Sequence, residues 1–186
     1  LEKQGDKVLA LCRSEQTRTI TSSVKRLKAD LTSAESYQVA IKEFAPQVVI
    51  HLAWQGILDF SFDTSRNNLN QSLGLLSFVI GLGSCKKVLV SGSCWESNID
   101  KGECLETTQG EAKDHFTWAK IALYSWLNMI CKQKHMQLSW MRTFYVYGPR
   151  QKTKSLIPTI LTKLKNGHLP DLQTPNNAND FVYIDD

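Results

Sequence analysis

The sequence predicts an α/β fold, in which a parallel β-sheet carries helices on both faces. Two observations support this prediction. Short apolar runs, of the kind that form buried strands, alternate along the chain with segments in which apolar residues recur every three or four positions. The connections between these segments are short, which is typical of successive β-α-β units and of a doubly wound sheet.

Four strands are predicted, and each of them is a short apolar run. They span residues 7–12, 47–53, 87–91 and 138–144. A strand of a parallel sheet is covered on both faces, so runs of apolar residues without polar alternation favour this arrangement. We expect all four strands to lie in one parallel sheet.

Four helices are predicted between and after these strands. They span residues 32–45, 67–82, 112–134 and 155–166. Thr32 and Glu35 have the spacing of a capping box, which predicts that the first helix begins there, and Pro46 predicts its end. Residues 169–179 are rich in Pro, Asn and Asp, and we expect a surface loop there rather than a domain boundary.

Composition and charge are those of an ordinary globular domain. The 186 residues are 42 % hydrophobic, and the net charge of +4 comes from scattered Lys and Arg side chains, which predicts no nucleic-acid-binding patch. No apolar run is long enough to span a membrane. The five cysteines include no Cys-x-x-Cys pair, which argues against a disulfide framework or a metal site and favours a reducing compartment. We therefore expect a cytoplasmic protein.

One pattern points to chemistry. Ser93 ends a predicted strand, and the helix that follows carries Phe116 and Lys120 at a spacing of one turn. A hydride-transfer site of this layout needs a Tyr one turn before the Lys, because the ammonium lowers the pKa of the phenol while the Ser orients the reacting oxygen. Phe116 has no hydroxyl, so the usual acid is missing. His115 and Tyr124 are weaker candidates for that role, since both are displaced along or around the helix.

Several ordered motifs resemble those of a known family. They are residues 29–31 (ADL), 49–53 (VIHLA), Asn68, 90–93 (VSGS), 142–151 (RTFYVYGPRQ) and 180–186 (DFVYIDD). In this order they resemble the extended short-chain dehydrogenase/reductases, the NAD(P)-dependent epimerase/dehydratase family, over nearly the whole chain. The resemblance implies a Rossmann-like doubly wound fold and an enzyme that acts on a nucleotide sugar, and it leaves a homodimer open.

The resemblance also implies which residues form the site. Ser93 and Lys120 take the catalytic positions, with Phe116 in the place of the Tyr. The cofactor-binding residues are expected to be Arg13, Ser14, Asp30, Leu31, Leu52, Ala53, Trp54 and Lys120, and the substrate-binding residues Trp95, Tyr145 and Arg150. Arg13 and Ser14 stand where an acidic residue would select NAD, and an Arg accommodates a 2′-phosphate. This predicts NADP, with NAD as the alternative if Arg13 stacks on the adenine.

The sequence departs from the family pattern in several places. No glycine-rich loop precedes the first strand, so the first βα unit is lacking, and the family continues beyond Asp186. We expect a single incomplete dinucleotide-binding domain over residues 1–186, with the start of the substrate-binding region near 150–186. Asn179 stands where the family often has an Arg, and Tyr145 where many members have an Asn. Two functions stay open: an NAD(P)-dependent epimerase, dehydratase or reductase, and a non-catalytic dinucleotide-binding relative with a regulatory or scaffold role.

Overall fold

The computed structural model describes residues 4–14, 24–57, 59–97, 102–108 and 110–186. The chain divides into two compact units, Leu1–Met141 and Arg142–Asp186, and each is described by itself. None of the described helices has the length and apolar character that crossing a bilayer requires. The division into a dinucleotide-binding and a substrate-binding region remains a prediction.

From Lys25 to Thr143 strands and helices alternate, which confirms the predicted α/β class. In chain order they are β1 (Leu9–Cys12), β2 (Lys25–Lys28), α1 (Gln38–Phe44), β3 (Val48–His51), α2 (Phe62–Gly81), β4 (Lys87–Ser93), α3 (His115–Gln133) and β5 (Gln137–Thr143). β1 pairs with β2 in parallel. β3, β4 and β5 form a second sheet in that order, in which Val48 lies opposite Lys87 in a parallel register.

The prediction that all four apolar strands share one sheet is wrong, because β1 hydrogen-bonds to β2 and not to the sheet of β3, β4 and β5. In a doubly wound sheet of order 3-2-1-4-5-6, strand 1 separates strand 2 from strand 4. β1 and β2 correspond to strands 2 and 3 of that order, and β3 to strand 4. Among the described residues no strand takes the position between them, and β1 and β3 are not neighbours.

The start of the first helix also differs from the prediction. Thr32 does not cap a helix, because its backbone N–H and its hydroxyl both donate to Asp30 Oδ1, at 2.9 and 2.8 Å. A short 3₁₀ turn follows over Ala34–Ser36, and α1 begins only at Gln38. The end is as predicted, since Ala45 adopts a left-handed conformation (φ 48°) directly before Pro46.

The two long helices begin at their own side-chain caps. α2 begins earlier than predicted because Ser61 Oγ accepts a hydrogen bond from Thr64 N. α3 begins at His115 with a capping box between Asp114 and Thr117. Both helices pack on each other and contribute fully buried leucines to a core that also holds Val88 and Val90 of β4. This packing holds the carboxyl end of β4 beside the first turns of α3.

The second unit contains a small parallel sheet and one helix. β6 (Tyr145–Tyr147) pairs with β7 (Phe181–Tyr183), and α4 (Leu156–Lys165) lies between them in the sequence. Gly148 is required after β6, since it has φ +154° and a Cβ there would lie 2.5 Å from Ile184 Cγ2. Residues 169–179 contain no helix or strand, as predicted.

Candidate active site

Ser93 is the last residue of β4, and a 3₁₀ turn over Cys94–Ser97 follows it. Its Oγ accepts a hydrogen bond from Trp95 N at 3.3 Å, and its backbone N–H donates to Glu96 Oε1 at 2.6 Å. The hydroxyl is half-buried at the strand end, where the sequence placed it. Both bonds come from the turn itself, so the position of Ser93 depends on the conformation of residues 94–97.

Lys120 reaches the same strand end from α3. Its Nζ donates to the backbone carbonyl of Ser91 at 2.8 Å, and its side chain is only 6 % exposed. Burial lowers the pKa of Lys120 to about 8, against the opposing influence of the Glu96 carboxylate. The structure thus brings Lys120 to the backbone two residues before Ser93. That the side chains of Ser93 and Lys120 form one catalytic site remains a prediction.

Phe116 belongs to an aromatic cluster that we define as Trp54, Phe60, Trp95 and Phe116. The Phe116 ring centre lies 5.1 Å from that of Trp54 and 5.1 Å from that of Phe60, and Phe60 lies 5.2 Å from Trp95. Lys120 Nζ lies 4.2 Å from the centre of the Trp54 ring and 5.9 Å from that of Phe116. The ammonium therefore lies against the Trp54 ring and near the Phe116 ring, which carries no hydroxyl.

The two other candidates for the missing acid contact different rings. His115 packs against Phe62 at 5.4 Å between ring centres, and its side chain is exposed. Tyr124 packs against Trp140 at 5.3 Å. Neither ring takes part in the aromatic cluster, so the structure does not favour either residue as the replacement for a Tyr.

Glu96 is a site residue that the sequence interpretation missed. Its carboxylate is 2 % exposed, and its Oε1 and Oε2 accept hydrogen bonds from Ser93 N and from the indole N–H of Trp140, at 2.6 and 2.8 Å. A Cβ at position 92 would lie 2.4 Å from Trp140 Nε1, so Gly92 is needed for this contact. Nothing in the local pattern marks Glu96 as buried, since its indole donor comes from β5.

A buried histidine lies behind the site. His51, the last residue of β3, places Nε2 2.9 Å from Ser72 Oγ. Because the single hydroxyl proton of Ser72 is donated to Asn68 O at 2.7 Å, His51 Nε2 must be the donor in the first bond. Burial, together with the charge of Lys120, lowers the pKa of His51 to about 4. His51 is therefore neutral at physiological pH.

Asn68 fixes the segment that follows β3. Its side-chain oxygen accepts from Gln55 N at 2.7 Å, and its amide donates to Gln55 O at 2.9 Å. The paired bonds hold the backbone next to Trp54, whose ring covers Lys120. Asn68, one of the motif residues of the sequence analysis, thus helps to place the aromatic cluster.

Comparisons with known proteins agree with this geometry. The model of the NAD dependent epimerase/dehydratase family matches residues 1–186. The chain belongs to this family. Among curated proteins, a probable dTDP-glucose 4,6-dehydratase of Sinorhizobium fredii is 25 % identical in an alignment 185 positions long, which covers 86 % of this chain and 50 % of that protein. The chain thus spans about half the length of this curated relative.

Solved structures of other proteins share the fold of this epimerase/dehydratase family member. The UDP-glucose 4-epimerase of Thermotoga maritima, solved with UDP-glucose, has a TM-score of 0.84 at 19 % identity, over 100 % of this chain and 64 % of that one. The UDP-glucose 4-epimerase of Thermus thermophilus, in complex with NAD, has a TM-score of 0.80 at 22 % identity, over 98 % and 64 %. These likenesses confirm the Rossmann-like fold.

The residues expected to bind the adenosine half of the cofactor lie near the ends of β1 and β2. Arg13 and Ser14 directly follow β1 and are exposed. The exposed carboxylate of Asp30 accepts its two bonds from Thr32, which lower the pKa of Asp30 most, and the charge of Arg13 adds a smaller effect. Leu31 is half-buried and packs against the core. Arg13 and Asp30 are thus close enough to interact, and their cofactor roles remain predictions.

The residues expected nearer the reacting atoms are distributed over both units. Leu52 and Ala53 follow β3 and are exposed, Leu52 by 65 %. Trp95 belongs to the aromatic cluster and is partly exposed. In the second unit, Tyr145 lines a pocket together with Asn179, and Arg150 lies in a turn with φ +69°. The substrate roles of Trp95, Tyr145 and Arg150 remain predictions.

Proposed function

We propose that this family member uses a nicotinamide dinucleotide, with NADP preferred over NAD, in epimerase, dehydratase or reductase chemistry on a nucleotide-linked sugar. The observation that carries the proposal is the buried Lys120 ammonium, bound to the Ser91 carbonyl beside Ser93. Family membership supports the dinucleotide. The relatives named for dTDP-glucose and UDP-glucose support a nucleotide-linked hexose.

The residues present fit both ends of such a cofactor. The Ser91 carbonyl takes one of the three N–H groups of Lys120, and no second acceptor for the others lies within the described part of the chain, which leaves donors for ribose hydroxyls. The exposed Leu52 at the end of β3 offers an apolar surface in a fold that binds ligands outside the carboxyl ends of its strands. Arg13 offers a guanidinium for a 2′-phosphate. The glycine-rich loop for the diphosphate is not in the sequence given.

The residues of this chain then divide the chemistry. When bound, the cofactor supplies the acceptor and the donor of a hydride. Ser93 orients the reacting hydroxyl or carbonyl of the sugar. Its Oγ gives or takes the proton that a Tyr at position 116 would exchange and that Phe116 cannot exchange. Because its pKa is lowered to about 8, Lys120 can return a proton to Ser93 at a pH near neutrality. The aromatic cluster limits the access of water to this exchange.

One observation favours the non-catalytic alternative. The Phe116 ring packs against the rings of Trp54 and Phe60, so the side chain at the position of the usual acid offers no proton donor. A protein that binds the dinucleotide for a regulatory or scaffold role would need Lys120 but not a proton donor. The enzymatic and the non-catalytic function therefore both predict cofactor binding, but only the enzymatic function predicts turnover of a substrate.

The decisive experiment compares cofactor binding and turnover in the whole protein and in two lysine variants. Lys120→Met should weaken NADPH binding, followed by nicotinamide fluorescence, about 10-fold or more, since it removes a charged hydrogen-bond donor. Lys132→Met, which changes an exposed lysine of the same helix, should have no effect. Equal NADPH affinity in both variants would refute the proposal. Binding without turnover of UDP-glucose, dTDP-glucose or their 4-keto derivatives would support the non-catalytic alternative.

A further inference from the structure

Glu96 takes no part in the proposed chemistry, although it is a buried acidic side chain close to Ser93 in the sequence. It lies three residues after Ser93, and its carboxylate contacts that residue and Trp140. We propose that Glu96 is a positioning residue for Ser93 and Lys120: its carboxylate holds the turn that presents Ser93, and its negative charge balances the buried ammonium. The inference rests on the proposed function of the Ser93–Lys120 site and adds a residue to it.

The first part of the role is geometric. The bond from Ser93 N to Glu96 Oε1 is 2.6 Å long and closes the turn over residues 93–96 from inside. Within that turn Trp95 N donates to Ser93 Oγ, so the backbone bond and the orientation of the hydroxyl are linked. The indole N–H of Trp140 holds the other carboxylate oxygen at 2.8 Å. Because both oxygens are held, the carboxylate cannot turn away without releasing Ser93.

The second part of the role is electrostatic. Among the described residues, the Lys120 ammonium contacts the Ser91 carbonyl from β4 and the rings of Trp54 and Phe116. It also interacts electrostatically with His51 from β3 and with Glu96 from the 3₁₀ turn. His51 is neutral, so Glu96 is the charged side chain among them. Two N–H donors facing its oxygens favour the charged form of the carboxylate. The negative charge of Glu96 opposes the lowering of the Lys120 pKa that burial causes. Without this charge, the pKa of Lys120 would fall still further below 10.5.

Two glycines leave room for this arrangement. A Cβ on Gly92 would lie 3.0 Å from Glu96 Oε1, in addition to its clash with Trp140. A Cβ on Gly110 would lie 2.9 Å from the backbone oxygen of Glu96, which accepts a hydrogen bond from Glu111 N at 3.1 Å. The carboxylate of Glu96 is therefore packed closely against Gly92, and its backbone oxygen against Gly110. Such packing keeps a positioning residue in one conformation.

The experiment measures the titration of Lys120 by NMR of its side-chain methylene groups, without cofactor or substrate. Glu96→Gln removes the charge and keeps the size, and it should lower the pKa of Lys120 by about 1 pH unit. Trp140→Phe removes one hydrogen bond but keeps the charge, and it should leave the titration within a few tenths of a pH unit of the wild type. Glu43→Gln, an exposed change on α1, is the matched control.

Glu96→Asp tests the geometric part of the role separately from the electrostatic part. It also keeps the proposal testable if the Glu96→Gln variant does not fold. It keeps the charge but shortens the reach to Ser93 N, so the titration of Lys120 should persist near about 8 while kcat falls about 10-fold or more at little changed KM for the cofactor. An unchanged titration in Glu96→Gln, or an equal shift in Trp140→Phe, would overturn the proposal. If the wild type binds no cofactor while Glu96→Gln still shifts Lys120, the proposed function fails and the relation of Glu96 to Lys120 stands.

Discussion

Lys120 Nζ lies 4.2 Å from the centre of the Trp54 ring. The ring comes from the segment that Asn68 holds after β3, while the lysine comes from α3 and is bound to β4 through the Ser91 carbonyl. Three separate elements therefore meet at one ammonium. The contact explains how a cation is kept almost completely out of water beside Ser93.

Trp54→Ala should raise the pKa of Lys120 from about 8 toward 10.5, because burial is the largest cause of its lowering. The interval corresponds to about 3 kcal/mol, whereas the lost cation–π attraction acts in the other direction and is worth about 0.5–2 kcal/mol. Titration of Lys120 by NMR measures the result. Trp54→Phe keeps a ring at this position and should change the titration little. A lower pKa in Trp54→Ala would mean that ring attraction, not exclusion of water, controls the ammonium.

His51 should make the protein less stable in acid. Its pKa is lowered from 6.5 to about 4 in the folded state, so between these values the unfolded chain binds a proton that the folded chain does not. The free energy of unfolding should therefore decrease by up to about 3 kcal/mol as the pH falls from above 6.5 to about 4. Urea unfolding at several pH values measures this slope.

A pair of histidine variants assigns that slope. His51→Gln removes the titrating group and should flatten the dependence between pH 6.5 and 4, even if it lowers stability at neutral pH. His135→Gln, at an exposed position, should keep the wild-type slope. An identical slope in His51→Gln and the wild type would show that other groups cause the acid sensitivity.

The sequence was sufficient for those parts of the site that depend on regular structure. A strand that ends in a serine and a helix with Phe116 and Lys120 one turn apart are local patterns, and the structure has both. The same reasoning did not find β2, because Lys25, Arg26 and Lys28 are charged and exposed and the strand therefore has no apolar pattern. It failed at Thr32 because Asp30 Oδ1 accepts the backbone N–H that the capping box would pair with Glu35, and accepts the Thr32 hydroxyl as well.

The role of Glu96 and the aromatic surroundings of Lys120 could not be predicted, since both depend on contacts between distant segments. Trp140 of β5 meets Glu96 of the turn that follows β4, and Trp54 of the segment after β3 meets Phe116 of α3. A charged residue in a sequence is normally expected at the surface. The contact between Glu96 and Trp140 needs the space left at Gly92, which no single-sequence pattern reveals.

Arg13 should determine the choice of cofactor in the whole protein. Arg13→Ala should weaken NADPH binding by about 10- to 100-fold, the loss expected for one charge-assisted hydrogen bond to a 2′-phosphate, and should leave NADH binding nearly unchanged. Arg26→Ala, an exposed change in β2, serves as the control. Titration of both cofactors measures the effect. Equal or tighter binding of NADH by the wild type would contradict the NADP preference.

Phe116→Tyr tests most directly whether this family member has a Ser93–Lys120 site whose usual acid is absent. The variant places a phenol one helical turn from Lys120, whose charge should lower the pKa of the new hydroxyl below about 10. Phe62→Tyr adds the same hydroxyl outside the aromatic cluster and is the control. In the whole protein, turnover of a 4-keto nucleotide sugar should rise about 10²- to 10⁴-fold in Phe116→Tyr alone. A wild type that already turns over this substrate as fast as Phe116→Tyr would contradict the claim.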